Sequence, residues 1–402
     1  MITQEQNDRL TRVGPGTPMG NLLRRYWHPV GTEAELAKEP VQRVRWFGED
    51  LTLFRSTRGE YGLIDERCPH RLLSLEYGIP EENGLRCAYH GWLFNAKGGC
   101  LEQPFEDVAH PESCFKNEIK IKAYPVEALG GLVWAYFGPE PRPLLPRWDV
   151  LVREDFDRVI DIYTLPCNWL QCMDNSADPV HFEFLHAGYG NYLRKKEGLP
   201  PGMNPARHRK IAFDVFKYGI MKRRLLEGEP ETADDWTIGH PLLFPNILAQ
   251  GGVDAPNLQI RIPIDDTHTV QLVYRAQKRK PGAAPQPIAV KHSKVFDDNG
   301  KLLVNAILSH DALAWIGQGP IMDRTRENLA TSDRGVVLYH KLLNEQMDLV
   351  ARGLEPMAVI RDRAENEPMI DLHREHKPLS AFDSRYDNSL DLVRKHADVV
   401  AK

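Results

Sequence analysis

No stretch of this 402-residue chain approaches the roughly 20 consecutive apolar residues that span a bilayer. The N-terminus, MITQEQNDRL, lacks the apolar core and small-residue cleavage site of a secretory leader, so a cytoplasmic location and no membrane partner are expected. Charge is not skewed either. Lys and Arg total 51 against 56 Asp and Glu, and a net charge of -5 gives no reason to expect nucleic acid. Six cysteines are too few for a disulfide scaffold. No G-x-G-x-x-G follows a strand, which argues against a dinucleotide site.

The length suggests two or three domains at about 150 residues each, and 42% hydrophobic with 27% charged residues fits a soluble globular protein. Residues 1–26 read as a turn-rich arm containing GPGTPMG and the amphipathic NLLRRYW. A small all-β domain is expected over 27–138, with a hairpin in VRWFGEDLTLFR around Gly48–Asp50 and an apolar strand in GGLVWAYFG. PEPRPLLPRW, with four prolines in ten residues, marks a connector over 139–148. Residues 149–402 mix strand-like pieces (VIDIYTL, KIAFDVF, GIMKRRLL, LQIRIPI, HTVQLVYRA) with helical patterns near 168–187, 324–353 and 387–402. The fold class expected is α+β: an N-terminal β domain, then an antiparallel sheet with helices packed on it.

The first chemical constellation is Cys68-Pro69-His70, then sixteen residues, then Cys87-Ala88-Tyr89-His90. Four such ligands could close a tetrahedral zinc site. Alternatively, the thiolates hold one iron of a cluster and the imidazoles the other. Zinc fingers usually keep cysteines together and histidines together. Here each loop is mixed, as in a Rieske [2Fe-2S] centre. The other cysteines, Cys100, Cys114, Cys167 and Cys172, form no second set and read as small buried hydrophobes.

The second constellation is Asp178, His181 and His186 in DNSADPVHFEFLH. Asp178 and His181 share a face if the segment is helical, and Pro179 with Asp178 suits a helix start. His186 lies five residues beyond His181, where regular α-helical geometry does not return to that face. A bend or helix end is therefore expected, with Gly188 and Gly190 as the stop. Two histidines and a carboxylate leave positions open on a non-haem iron for dioxygen.

In LTRVGPGTPMGNLLRRYWHPV, CPHR, CAYHGW, DNSADPVHFEFLH and GPIMDRTRENLATSD, the chain resembles the Rieske non-haem iron aromatic-ring oxygenases. The likeness is to their phthalate dioxygenase branch, which also takes in phenoxybenzoate dioxygenase and aryl O-demethylases. The resemblance implies that Cys68, His70, Cys87 and His90 hold a Rieske 2Fe-2S cluster. It implies a mononuclear Fe(II) on His181 and His186, with Asp311 as third ligand and Asp323 and Asp333 as rivals for that place. Asp178 becomes a hydrogen-bonding bridge toward a Rieske histidine of the neighbouring subunit. A homotrimer or stacked trimers and a separate NAD(P)H-dependent reductase are implied. Arg194-Lys195-Lys196 and Lys222-Arg223-Arg224 are possible docking patches, although a solvated face explains such runs more simply.

The reaction expected is dioxygen-dependent ring dihydroxylation of a phthalate- or phenoxybenzoate-like acid. O-demethylation of a methoxylated acid is the alternative, and a Rieske-type electron carrier is the alternative of another class. An aromatic carboxylate needs a cation in an otherwise apolar pocket. Arg207 is a candidate by resemblance, and Phe244 stands where the phthalate enzymes are expected to offer a second arginine. That departure favours a substrate with one carboxylate and a bulkier apolar part.

Overall fold

The structure, a computed structural model, describes residues 2–203, 206–304 and 306–376. The helix expected over 387–402 lies outside the described residues. The chain forms two units. Of the described residues, one unit is Val13–Arg147 with Val359–Ile370; the other is Trp148–Ala358 with the N-terminal residues to Arg12 and residues 371–376. A strictly linear division into 1–26, 27–138, 139–148 and 149–402 therefore misses two returns: the start of the arm goes with the second unit, and 359–370 goes back to the first.

The first unit holds three antiparallel sheets. In chain order its strands are β1 (Trp27–Thr32), β2 (Val41–Trp46), β3 (Glu49–Arg55), β4 (Tyr61–Asp65), β5 (Ile79–Glu81), β6 (Gly84–Arg86), β7 (Leu93–Phe94), β8 (Cys100–Glu102), β9 (Ala123–Tyr124), β10 (Val126–Leu129) and β11 (Leu132–Tyr136). They pair as β1-β11-β10, β2-β3-β4-β9 and β5-β6-β7-β8. Trp46 pairs directly with Glu49, so the first hairpin turns at Phe47-Gly48, with φ of 51° and 77°, one residue earlier than the sequence suggested. Phe47 is held in that left-handed conformation by packing: its buried ring lies edge-on to His28 at 4.9 Å and to Phe137 at 5.1 Å.

The second unit is built on one eight-stranded sheet. Its strands are β12 (Phe156–Leu165), β13 (His208–Phe216), β14 (Gly219–Leu226), β15 (His240–Leu243), β16 (Ile247–Gln250), β17 (Asn257–Pro263), β18 (Thr269–Lys278) and β19 (Ala289–Ser293). The order is β13-β14-β15-β16-β17-β18-β12-β19, and only the β12–β19 pair is parallel. Helices Trp169–Ala177, Ile307–Gly317 and Arg334–Ala351 accompany the sheet. The last approaches the first closely, since a Cβ on Gly335 would fall 2.3 Å from the Ala177 carbonyl.

A buried polar cluster ties these pieces together. Arg324, fully buried, donates to Asp174 Oδ2 from Nε (3.2 Å) and Nη2 (2.5 Å), while His340 Nε2 meets Asp174 Oδ1 at 2.7 Å. Arg324 Nη1 also reaches Asn7 Oδ1 at 3.3 Å, on the N-terminal helix Gln4–Thr11.

Two expectations fail here. Lys222-Arg223-Arg224 lies within β14 and is no surface patch: Lys222 is buried, Arg223 binds Asp214 and Arg224 binds Asp235. Alternating strand residues face opposite sides, so consecutive charges need not share a surface. Cys100, Cys167 and Cys172 are buried as expected, but Cys114 is exposed.

Candidate functional site

Two loops of the first unit share one backbone design. Cys68 N–H donates to Leu73 O at 3.0 Å, and its carbonyl accepts from Leu72 N–H at 2.9 Å. Cys87 repeats this with Trp92 O at 2.8 Å and Gly91 N–H at 3.0 Å. Leu72 and Gly91 both take positive φ, 59° and 76°, closing each loop into a tight reversal. The cysteines are buried in a cluster with Phe54, Leu75, Leu85 and Phe94, whereas His70 and His90 are exposed.

The two imidazoles meet with ring centroids 4.5 Å apart, and His70 stacks on Trp92 at 4.4 Å, 5° from parallel. Burial and the neighbouring Cys87 push the Cys68 thiol up to about 12, so a bound cation is needed to favour the thiolate. Burial and His90 hold the His70 imidazole below its ordinary value, in the neutral form a metal requires. Soft thiolates inside and neutral imidazoles outside are a donor set that fits a Rieske cluster.

In the second unit, the helix Trp169–Ala177 ends at Asp178. Asp178 then caps the next turn, accepting from Val180 N–H at 2.7 Å and from His181 N–H at 3.2 Å. Directly after His181 the chain enters a π-helix, Phe182–Tyr189. Its i→i+5 period brings His181 and His186 to one face where an α-helix would separate them. The glycines do not stop it: an α-helix continues from Gly190 to Lys196.

Asp311, on Ile307–Gly317, faces this pair. Its Oδ1 lies 3.2 Å from His186 Nε2 and 3.7 Å from His181 Nε2, and this buried oxygen has no hydrogen bond among the described residues. Burial opposes ionisation of Asp311, but His186 and His181 outweigh it and keep the carboxyl below its ordinary range. Three ligand atoms thus converge on one point, a geometry that fits a facially bound divalent metal. Behind His181, Asp178 Oδ2 stands 3.5 Å from Nδ1, where it can orient the ring. Asp323 and Asp333 lie elsewhere, each accepting a backbone N–H at a short helix start: Asp323 from Thr325 and Asp333 from Ala330.

Sequence reasoning missed several neighbours. Glu183, inside the π-helix, accepts from His208 N–H (2.5 Å) and Nδ1 (2.8 Å), fastening it to β13. Lys222 Nζ donates 2.8 Å to the Ser176 carbonyl in the last turn before Asp178, and burial lowers it to about 8. Arg261 of β17 is 1% exposed. The signal was present: in LQIRIPI one cation interrupts an apolar strand whose neighbours Ile260 and Ile262 are both buried. Arg207 is exposed, while Phe244 is buried with its ring 6.5 Å from Tyr339.

Residues 26–125 match the Rieske [2Fe-2S] domain family. The chain is 45% identical, over 93% of its length and 88% of the relative's, to the 5,5'-dehydrodivanillate O-demethylase oxygenase subunit of Sphingobium sp.. It is 34% identical, over 87% of each chain, to phenoxybenzoate dioxygenase subunit alpha of Ectopseudomonas oleovorans. Among solved structures, NdmA of Pseudomonas putida CBB5 shares the fold with a TM-score of 0.62 at 21% identity, covering 83% of this chain and 94% of that one. Identity of this level across nearly the full length of both chains is homology, and the chain belongs to the Rieske non-haem iron oxygenases, as an oxygenase subunit whose cofactors are a Rieske 2Fe-2S cluster and a mononuclear iron.

Proposed function

We propose that this oxygenase subunit O-demethylates a methoxylated aromatic acid. The observation that carries the reading is its 45% identity over 93% of the chain to an O-demethylase oxygenase subunit. The overall change consumes the aryl methyl ether, one dioxygen, two electrons and two protons, and yields the phenol, formaldehyde and water. In this reading His181, His186 and Asp311 hold iron, and Cys68, Cys87, His70 and His90 hold the cluster. Bound, these groups supply dioxygen activation and single-electron delivery respectively.

The chain's own residues set the stage for that chemistry. The π-helix holds both imidazoles on one face, and Asp178 fixes the His181 ring from behind. The same Asp178 carboxylate would bridge toward a Rieske histidine of a neighbouring protomer in a homotrimer or stacked trimers. Electrons would come from a separate NAD(P)H-dependent reductase in the cytoplasm.

Ring dihydroxylation is the second reading, supported by 34% identity to a phenoxybenzoate dioxygenase subunit. Product mass spectrometry separates the two. Methoxy- and phenoxybenzoates are incubated with the loaded protein, a surrogate reductase, NADH and labelled dioxygen. Formaldehyde with a phenolic acid supports demethylation; two labelled oxygens retained on a ring overturn it in favour of dihydroxylation.

A further inference from the structure

Arg261 is a buried charge with no anion beside it. Its Nη1 donates to the Gln259 carbonyl and its Nη2 to Gln259 Oε1, each at 2.9 Å, and both acceptors are neutral. Its Nε has no hydrogen-bond partner among the described residues. No carboxylate of the described residues forms an ion pair with it within 4.0 Å. Buried guanidinium groups are costly unless paired, and their planar fork matches a carboxylate.

Its neighbour Trp315 belongs to the helix that also carries Asp311. The guanidinium carbon lies 5.9 Å from the ring centroid of Trp315. Trp315 and Asp311 are four residues apart on helix Ile307–Gly317 and so share one face of it. One helical turn, about 5.4 Å of rise, separates the two levels, comparable to the width of a benzene ring. The indole Nε1 of Trp315 is itself buried with no acceptor among the described residues. Neighbouring side chains thus each carry an unmet donor, Arg261 Nε and Trp315 Nε1, and a carboxylate has two oxygens to offer such donors.

The cation is also held rigidly. Arg261 N–H donates to the Asn246 carbonyl at 3.0 Å, and Asn246 Nδ2 returns a bond to the Arg261 carbonyl at 2.7 Å. Burial lowers Arg261 to about 10, while Cys172, then Asp311 and Tyr339, pull it the other way, so Asp311 is one of several groups in its electrostatic neighbourhood.

We propose that Arg261 and the indole N–H of Trp315 form the anion subsite of the oxygenase site and receive the carboxylate of an aromatic acid. The inference rests on the oxygenase reading above and deepens it by naming the group that is recognised.

The test is equilibrium binding to the reduced, iron-loaded protein under anaerobic conditions. The probes are 3-methoxybenzoate and 3-phenoxybenzoate, each compared with its uncharged methyl ester. The wild-type protein is expected to bind at least one acid about tenfold or more tightly than its ester. Arg261→Met should weaken that acid by roughly 10- to 100-fold while leaving the ester within about twofold, with iron content and Rieske absorption unchanged. Arg261→Lys should keep part of the preference, and Trp315→Phe should lose a smaller, acid-specific part.

Wild-type protein that binds neither acid more tightly than its ester overturns the proposal without any variant. So does an Arg261→Met protein that keeps the preference or loses acid and ester equally. Should Arg261→Met not fold, Trp315→Phe and Arg261→Lys decide, since an acid preference unchanged in both overturns the subsite. Product analysis stands apart: a retained acid preference without O-demethylation sinks the reaction assigned above and leaves the subsite intact.

Discussion

His186 Nε2 lies 3.2 Å from Asp311 Oδ1, although one belongs to the π-helix and the other to a helix far along the chain. Among the described residues nothing else satisfies that oxygen. Asp311→Ala is therefore expected to lower iron content to that of the cluster alone, with the Rieske absorption unchanged and turnover falling by more than about 100-fold, beyond what altering a supporting group costs. Metal analysis of the purified variant checks this; full iron occupancy would remove Asp311 from the ligand set.

Asp178 touches the site through His181 and through its cap on the following turn. Asp178→Asn should keep the cap's acceptor oxygen but lose the charge, lowering turnover by roughly 10- to 100-fold with iron and cluster retained. Single-turnover measurements on pre-reduced protein make the comparison. Turnover equal to wild type would refute the bridging role.

The Asp174–Arg324 pair is a question of stability. Burial opposes ionisation of Asp174, but His340 and Arg324 outweigh it and hold the carboxyl below its ordinary value. Removing one partner leaves the other charged and buried, so Arg324→Met is expected to cost about 3–5 kcal/mol. A group whose folded pKa is depressed stabilises above its unfolded value, near 3.9 for aspartate, and loses that contribution as pH falls through the folded value. Acid unfolding below about pH 4 should accordingly be shallower in Asp174→Asn than in wild type. Parallel acid-unfolding curves would show the pair to be inert.

His28 makes the first unit sensitive at higher pH. It is buried and donates to Leu23 O at 2.8 Å; burial, aided by Arg24, lowers it to about 4. The unfolded chain takes up a proton near pH 6.5 that the folded chain refuses until about 4. Stability is thus full above 6.5 and declines as pH falls toward 4, by about 3 kcal/mol in all. Thermal loss of the Rieske absorption across that range measures it, and His28→Gln should flatten the dependence.

The parts of the site legible in sequence were those written locally. Each Cys-His loop is six residues closed on itself, and the spacing of Cys68 to His70 and Cys87 to His90 carries the chemistry directly. Asp178 could be read as a cap because its partners are two and three residues away. The π-helix could not, since its i→i+5 bonding leaves no residue signature and the glycines at 188 and 190 suggested a stop instead. Asp311 came from resemblance, because no local pattern ties it to His186. Lys222 was misread for the opposite reason: KRR looks like a surface run, yet on a strand the charges alternate sides and the first of them points inward.

The chain crosses between its two units at 12/13, 147/148, 358/359 and 370/371. The last crossing closes the first unit. Asn366 accepts from Arg147 N–H at 3.0 Å and donates to the Leu145 carbonyl at 3.0 Å, and Ile370 N–H donates to the Arg147 carbonyl at 2.8 Å. The stretch that pairs with the proline-rich connector is thus made only after the whole eight-stranded sheet. On the ribosome, the iron–sulfur unit emerges early but stays unfinished until some 370 residues have been synthesised. A fragment ending at the connector therefore lacks the segment that pairs with it.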